Sequence, residues 1–243
     1  MRVIPMRRRF ENWSNPTGEY LFGLTSYKIH QWEYIAGRSW RSYRKRLAEI
    51  SKQSLASYPV IGYEDILNVE FNSMYALNAT FKDNNLSDDD FILPLDDDDW
   101  YSEGITAPPN CDMFEWNVMV FQTADHCNFH YWRDNNKKMW CSNYAVRVGV
   151  LRQLPPKMLA RILFHHEYAS RYTVELGLRH VSSNVPLNVY LWHAGSTSAI
   201  RNNYVMSSLR IPPLPKVISW AKPYYDQFVE LYKTLKHRNI VLL

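Results

Sequence analysis

Phe91-Ile92-Leu93-Pro94-Leu95-Asp96-Asp97-Asp98-Asp99-Trp100-Tyr101 is the stretch on which the fold turns. Its first half is apolar apart from the proline, and a short apolar run bounded by turn signals reads as a strand buried in a sheet. Asp96 to Asp99 then follow without interruption, and two aromatics close the run. Carboxylates that converge without a counter-ion repel one another by several kcal/mol. A divalent cation removes that cost, and hard ions such as Mg²⁺ or Mn²⁺ take oxygen ligands. In open α/β sheets, ligands bind just outside the carboxyl ends of strands. A solvated acidic turn is the alternative; the apolar strand before the run and Trp100 after it speak against a loose tail. The expected fold class is α/β, a single Rossmann-like domain with a mixed central sheet flanked by helices.

Working outward, Asp83 to Asp90 is a polar loop that delivers the chain to the strand. Asp88 to Asp90 stand at the strand's amino end, away from any site at its carboxyl end, and are expected to be solvated. Ile66 to Phe81 reads as an amphipathic helix with Glu64-Asp65 near its positive end. Ser39 to Ser57 reads as another, with Trp40, Tyr43, Leu47 and Ile50 at helical spacing and Pro59 as its stop. The basic and aromatic cluster Trp40 to Arg46 reads first as a solvated helix face; a nucleic-acid patch and a contact with anionic lipid are the other readings. Arg2 to Phe10 holds the expected first strand. Helix, loop, strand and acidic turn follow in the order a doubly wound sheet requires.

Downstream, Trp116 to Thr123 and Asn128 to Trp132 read as strands, and Asp134 to Lys138 as a turn into Met139 to Cys141. His126, Cys127, His130 and Cys141 match no usual zinc spacing, so polar loop histidines and buried thiols are expected there. Pro155-Pro156 opens a helix that ends near Gly177 and carries His165-His166-Glu167. Val189 to Trp192 reads as a strand followed by the small polar loop His193 to Arg201. The last helix, Tyr224 to His237, sets Tyr225, Phe228, Leu231, Tyr232 and Leu235 on one face. Packing on the core is the simplest use of that face, with dimerisation and membrane contact as the others.

A chain of 243 residues with 46% hydrophobic content can bury the core of one α/β domain. We divide it into a basic N-terminal part (1–60), a core with the metal, donor and acceptor sites (61–211) and a C-terminal helical segment (212–243). No apolar run approaches the roughly eighteen residues of a spanning helix, and the N-terminus has charge but no apolar signal region. The 3 cysteines form no Cys-x-x-Cys pair, which fits a reducing compartment. A cytoplasmic protein is expected, with peripheral membrane contact as an option. The net charge of +4 conceals a basic start, a strongly acidic stretch over residues 61–112 and a basic remainder. That distribution suits an anionic ligand beside an acidic pocket, and it equally suits ordinary charge balance between segments.

Leu95-Asp96-Asp97-Asp98-Asp99 resembles the Asp-x-Asp-Asp element of nucleotide-sugar-dependent glycosyltransferases of the A fold, closest to the pattern of the rhamnosyltransferase group. The sharp part of the resemblance is the aspartate run; residues 64–201 follow it loosely. It implies a glycosyltransferase A-type domain in which this element holds a metal on the donor pyrophosphate. The metal ligands would be Asp96, Asp98, Asp99 and a late histidine, for which His193 stands in the right place. Arg9, from an Arg-Phe pair in the first strand, would reach the nucleotide, although an exposed basic edge explains Arg7 to Arg9 as well. Asp97, Ser196, Ser198 and Arg201 would contact the donor, since a small polar loop after a strand presents backbone N–H groups to phosphate. Asn143 would line the acceptor side.

Sugar transfer with inversion needs a base for the acceptor hydroxyl. Glu167 is the sole carboxylate between Asp134 and Glu175, with His166 beside it as a second proton acceptor. The family's Glu-Asp pair is missing, and the periodicity sets Glu167 well inside its helix, where an exposed salt-bridge partner is the ordinary reading. The expected cofactor is Mn²⁺ or Mg²⁺, and the expected partners are a nucleotide-sugar donor and a glycan or lipid-linked acceptor, with no nucleic acid. A metal-dependent phosphoesterase or nuclease is the first alternative, disfavoured because acids are scarce after Asp112. A non-catalytic metal- or glycan-binding domain is the second.

Overall fold

The computed structural model describes residues 1–10, 40–65, 84–95, 99–123, 127–132, 143–164, 166–193 and 218–236, parts of them by backbone alone. Over these residues the chain is a mixed α/β structure built on one mixed, strongly curled sheet with few helices. The elements are β1 (Val3–Phe10), α1 (Trp40–Ser54), β2 (Ile61–Asp65), β3 (Phe91–Leu95), β4 (Trp100–Tyr101), β5 (Met113–Thr123) and β6 (Cys127–Trp132). They continue with β7 (Tyr144–Arg147), α2 (Val148–Leu151), α3 (Pro156–Phe164), α4 (His166–Glu175), β8 (His180–His193) and α5 (Lys222–Lys236).

The strand order is β2-β1-β3-β7-β5-β8-β4. β7 and β6 share one edge of β5, the first along Met113–Glu115 and the second along Val118–Thr123. β1, β2 and β3 are mutually parallel, β7 runs against both β3 and β5, and β8 runs parallel to β5. The carboxyl ends of β1, β2, β3, β5 and β8 therefore open on one side.

Alternate residues along the strands enter two cores, which is why β3 needs an unbroken apolar run. Ile4, Ile92, Met113, Tyr144 and Val146 face α3 and α4, where they meet Leu159, Ile162 and Ala169. Val3, Phe91, Leu93, Phe114, Trp116 and Ala145 face the other way, onto Tyr101, Ile105 and Cys111. Two prolines sit within this sheet without costing a ladder bond. Phe91 donates its N–H to Arg2 O, just before β1, so alternation turns the nitrogen of Pro94 toward β7, whose pairing with β3 stops at Ile92. By the same alternation the nitrogen of Pro5 faces the β2 edge, where pairing begins at Met6.

The curl follows from connectivity. β3 and β4 stand four places apart in the sheet, about 19 Å if it were flat. The chain from Leu95 to Trp100 spans at most about 18 Å fully extended. The sheet must bend to let so short a run cross it.

Two described elements differ from what the sequence pattern suggests, β2 and β8. Glu64-Asp65, expected at a helix start, end strand β2; the expected helix over 66–81 lies outside the described residues, as does the stretch Met139 to Cys141. The expected helix from Pro155 to Gly177 is described as α3 and α4, with position 165 between them outside the described residues. α4 ends in a Schellman turn: Leu178 N–H reaches Thr173 O at 3.0 Å and Gly177 N–H reaches Val174 O at 3.2 Å. Gly177 has φ +60°, the left-handed conformation that this turn demands. The strand expected at Val189 to Trp192 begins much earlier, at His180, and accommodates register shifts around Asn117.

Candidate functional site

Asp96, Asp97 and Asp98 lie outside the described residues, as do Ser196, Ser198 and Arg201. Their two flanks are described. Leu95 ends β3 in register with Arg7 of β1. On the other side Asp99 is wholly buried, and its Oδ1 accepts the Leu191 N–H at 3.0 Å. Trp100 and Tyr101 then pair with Val189 and Asn188 of β8. His193 closes β8 opposite Thr123, the last residue of β5, at the backbone level. It stands two residues beyond Leu191, about 7 Å along the strand. Asp99, the last member of the acidic run, and His193 thus belong to one locale.

The downstream flank of that locale is built rigidly. Trp100 packs against Tyr224 and Phe228 of α5, with ring centroids 6.1 and 6.0 Å apart. The expected apolar face of the last helix is therefore used in part for packing on the core, through Phe228 and Leu231. Tyr101 donates its N–H to Ser54 Oγ at 3.0 Å, from the end of α1. Tyr58 donates its hydroxyl to Ser102 O at 2.5 Å and accepts the Ile105 N–H at 2.8 Å. Burial pushes the Tyr58 phenol up to about 12, the Ile105 bond working against it and the charge of Glu103 with it.

Arg9 stands opposite Glu64 in the β1–β2 register, near the carboxyl end of β1; its side chain lies outside the described residues. His166 and Glu167 are the first two residues of α4, directly after the undescribed position 165. Their side chains are also outside the described residues. The far end of α4 is tied to the amino end of β5, where Thr173 Oγ1 meets Met113 Sδ at 2.9 Å. Asn143, weighed for the acceptor side, is buried and donates its Nδ2 to Trp116 O at 2.7 Å. One polar link went unforeseen: Trp116 Nε1 donates to Asn188 Oδ1 at 3.0 Å, joining β5 to β8. No spacing signal announces such a pair, because its members are 72 residues apart.

The opposite, amino-terminal rim is dense in ion pairs. Asp90 is buried, not solvated as its loop position suggested: Arg2 grips it bidentately at 3.0 and 2.6 Å, and Ser87 N–H adds a bond at 2.9 Å. Burial alone would raise the Asp90 carboxyl, but Arg2 and Ser87 together outweigh it and hold the group below the usual carboxylate range. Asp112 takes Arg179 through Nε and Nη2 at 2.9 and 3.0 Å and Arg147 at 2.6 Å. The Arg179 hydrogen bond is the main reason its carboxyl is lowered, against the opposing effect of burial. Asp88 pairs with Arg152, and Asp89, which is exposed, stands 3.9 Å from Arg147.

Among the described residues no group of three or more histidine, cysteine or acidic side chains forms a metal cage, and His126 and Cys141 fall outside them. No described helix is long and apolar enough to cross a membrane. No protein-family model matches the chain, and a search of curated proteins finds no match either.

Proposed function

We propose that this chain is a metal-dependent glycosyltransferase that moves a sugar from a nucleoside-diphosphate donor to a hydroxyl of a glycan or lipid-linked acceptor. Asp96 and Asp98, backed by Asp99 and joined by His193, hold Mn²⁺ or Mg²⁺; carboxylate oxygens with one imidazole suit either ion. When bound, the cation offsets the charge that builds on the departing nucleoside diphosphate. Asp97, Ser196, Ser198 and Arg201 orient the donor, and Arg9 reaches its nucleotide. Glu167, with His166 beside it, takes the acceptor proton, which makes inversion the favoured outcome.

The observation that supports this reading most is the β4–β8 pairing and the Asp99–Leu191 bond next to it. They bring the end of the acidic run onto the strand that finishes in His193. Thermal unfolding with a panel of nucleoside diphosphates tests this reading. At a hundredfold excess over Kd, a matching nucleotide with Mn²⁺ is expected to raise Tm by about 5 °C. Asp98→Ala is expected to lose that shift. A wild-type chain that no nucleoside diphosphate stabilises, with or without Mn²⁺, rules the reading out.

A further inference from the structure

We infer that Asp99 is a positioning residue and not a metal ligand: its carboxylate ends the β4–β8 ladder and so sets how the acidic run meets the strand carrying His193. The consequence for metal rests on the function proposed above; the bracket itself rests on described geometry. β4 pairs antiparallel with β8 through Trp100–Val189 and Tyr101–Asn188, and Ser102 N–H continues the ladder to Leu187 O at 2.8 Å. In an unbroken ladder the Leu191 N–H would meet the backbone carbonyl two residues before Trp100. Here the side-chain oxygen of the residue immediately before Trp100 meets it, at 3.0 Å. A short side chain that takes a main-chain donor in this way competes with the ladder and stops it.

Burial points the same way. Asp99, Trp100 and Tyr101 are each 0% exposed. A cation that also takes diphosphate oxygens and water needs open coordination positions beside its ligands. The residues after Asp99 lock the bracket from several sides: Trp100 on α5, Tyr101 on Ser54, Ser102 on Tyr58 and Leu187. An amide oxygen can replace the Asp99 carboxylate as acceptor for Leu191, whereas a methyl group cannot.

Hydrogen exchange at the Leu191 amide and Mn²⁺ titration, both on the full chain, test the inference. Asp99→Asn is expected to keep Leu191 protected and to bind Mn²⁺ within about twofold of wild type. Asp99→Ala is expected to speed Leu191 exchange by about tenfold, the worth of one buried hydrogen bond, and to weaken Mn²⁺ binding. Ile162→Val, on the buried face of α3, controls for general destabilisation and leaves Mn²⁺ affinity unchanged. If Asp99→Asn loses Mn²⁺ as fully as Asp98→Asn while Leu191 stays protected, Asp99 is a ligand and the inference is overturned. Unchanged Leu191 exchange in Asp99→Ala also overturns it. Should Asp99→Ala not fold, the Asp99→Asn and Asp98→Asn comparison decides alone. A wild-type chain that binds no Mn²⁺ sinks the proposed function, and the exchange comparison still decides the bracket.

Discussion

Two aspartate runs flank β3, and the fold treats them differently. Before the strand each carboxylate meets an arginine: Asp88 meets Arg152, Asp89 meets Arg147 and Asp90 meets Arg2. After the strand the described member, Asp99, meets a backbone N–H of β8. The side chains are identical, so their chemistry alone cannot decide their use. What differs is where the positive partner comes from. At the amino rim the chain supplies it from Arg2 just before β1, from Arg147 of β7 and from Arg152 just after α2. At the carboxyl rim, in our proposal, a cation supplies it from outside.

If the amino rim is a structural girdle, damage there lowers stability, and the largest loss should come from its best-connected member. Asp112→Ala strands both Arg147 and Arg179 and is expected to cost about 2 kcal/mol, read from the urea midpoint. The Arg179 side chain is 53% exposed, which keeps this figure below that of a fully buried pair. The same group sets an acid limit. The carboxyls of Asp112 and Asp90 are lowered from 3.8 in the fold, so their stabilisation is complete above that value and is lost as pH falls through the lowered values. Acid titration of stability should therefore be shallower in Asp112→Ala than in wild type.

Gly177→Ala, at φ +60°, comes next with a loss of about 1 kcal/mol, although open space would accept the methyl group. A smaller difference than a few tenths would mean that the Schellman turn does not set the path into β8. Tyr58→Phe probes the flank of the carboxyl rim and should cost roughly 1 kcal/mol through its two hydrogen bonds. Because folding raises the Tyr58 phenol from 10.0 to about 12, its contribution is complete below pH 10.0 and disappears as pH climbs toward 12. Tyr58→Phe should flatten that alkaline loss. Smallest of all, Asp96→Asn and Asp98→Asn should leave metal-free stability within about 0.5 kcal/mol of wild type. A large loss from either would make the second run structural, like the first, and erase the contrast.

Local pattern carried a good part of this architecture. The apolar run of β3, the helical spacing of Leu47 and Ile50 in α1 and the burial of Phe228 and Leu231 in α5 follow the sequence pattern, because each element buries side chains in its own period. β2 escaped notice: Ile61-Gly62-Tyr63 is too short and too mixed to outweigh the helix-like pattern that follows it. The early start of β8 was hidden by Ser182, Ser183, Asn184 and Pro186, polar or ladder-breaking residues that the register shifts at Asn117 accommodate. Asp90 was misjudged because its partner, Arg2, is 88 residues away and pairing over that distance leaves no local mark. The candidate site shows the same division. The acidic run and His193 stand out by residue type, whereas their shared locale depends on Asp99 reaching a strand 92 residues later.

Mn²⁺ titration of three chains tests the central claim most directly: wild type, Asp90→Asn from the run before β3, and Asp98→Asn from the run after it. One Mn²⁺ should bind wild type and Asp90→Asn with equal affinity, and Asp98→Asn at least about tenfold more weakly. Equal affinity in all three chains, or no Mn²⁺ bound by the wild type, would contradict that claim.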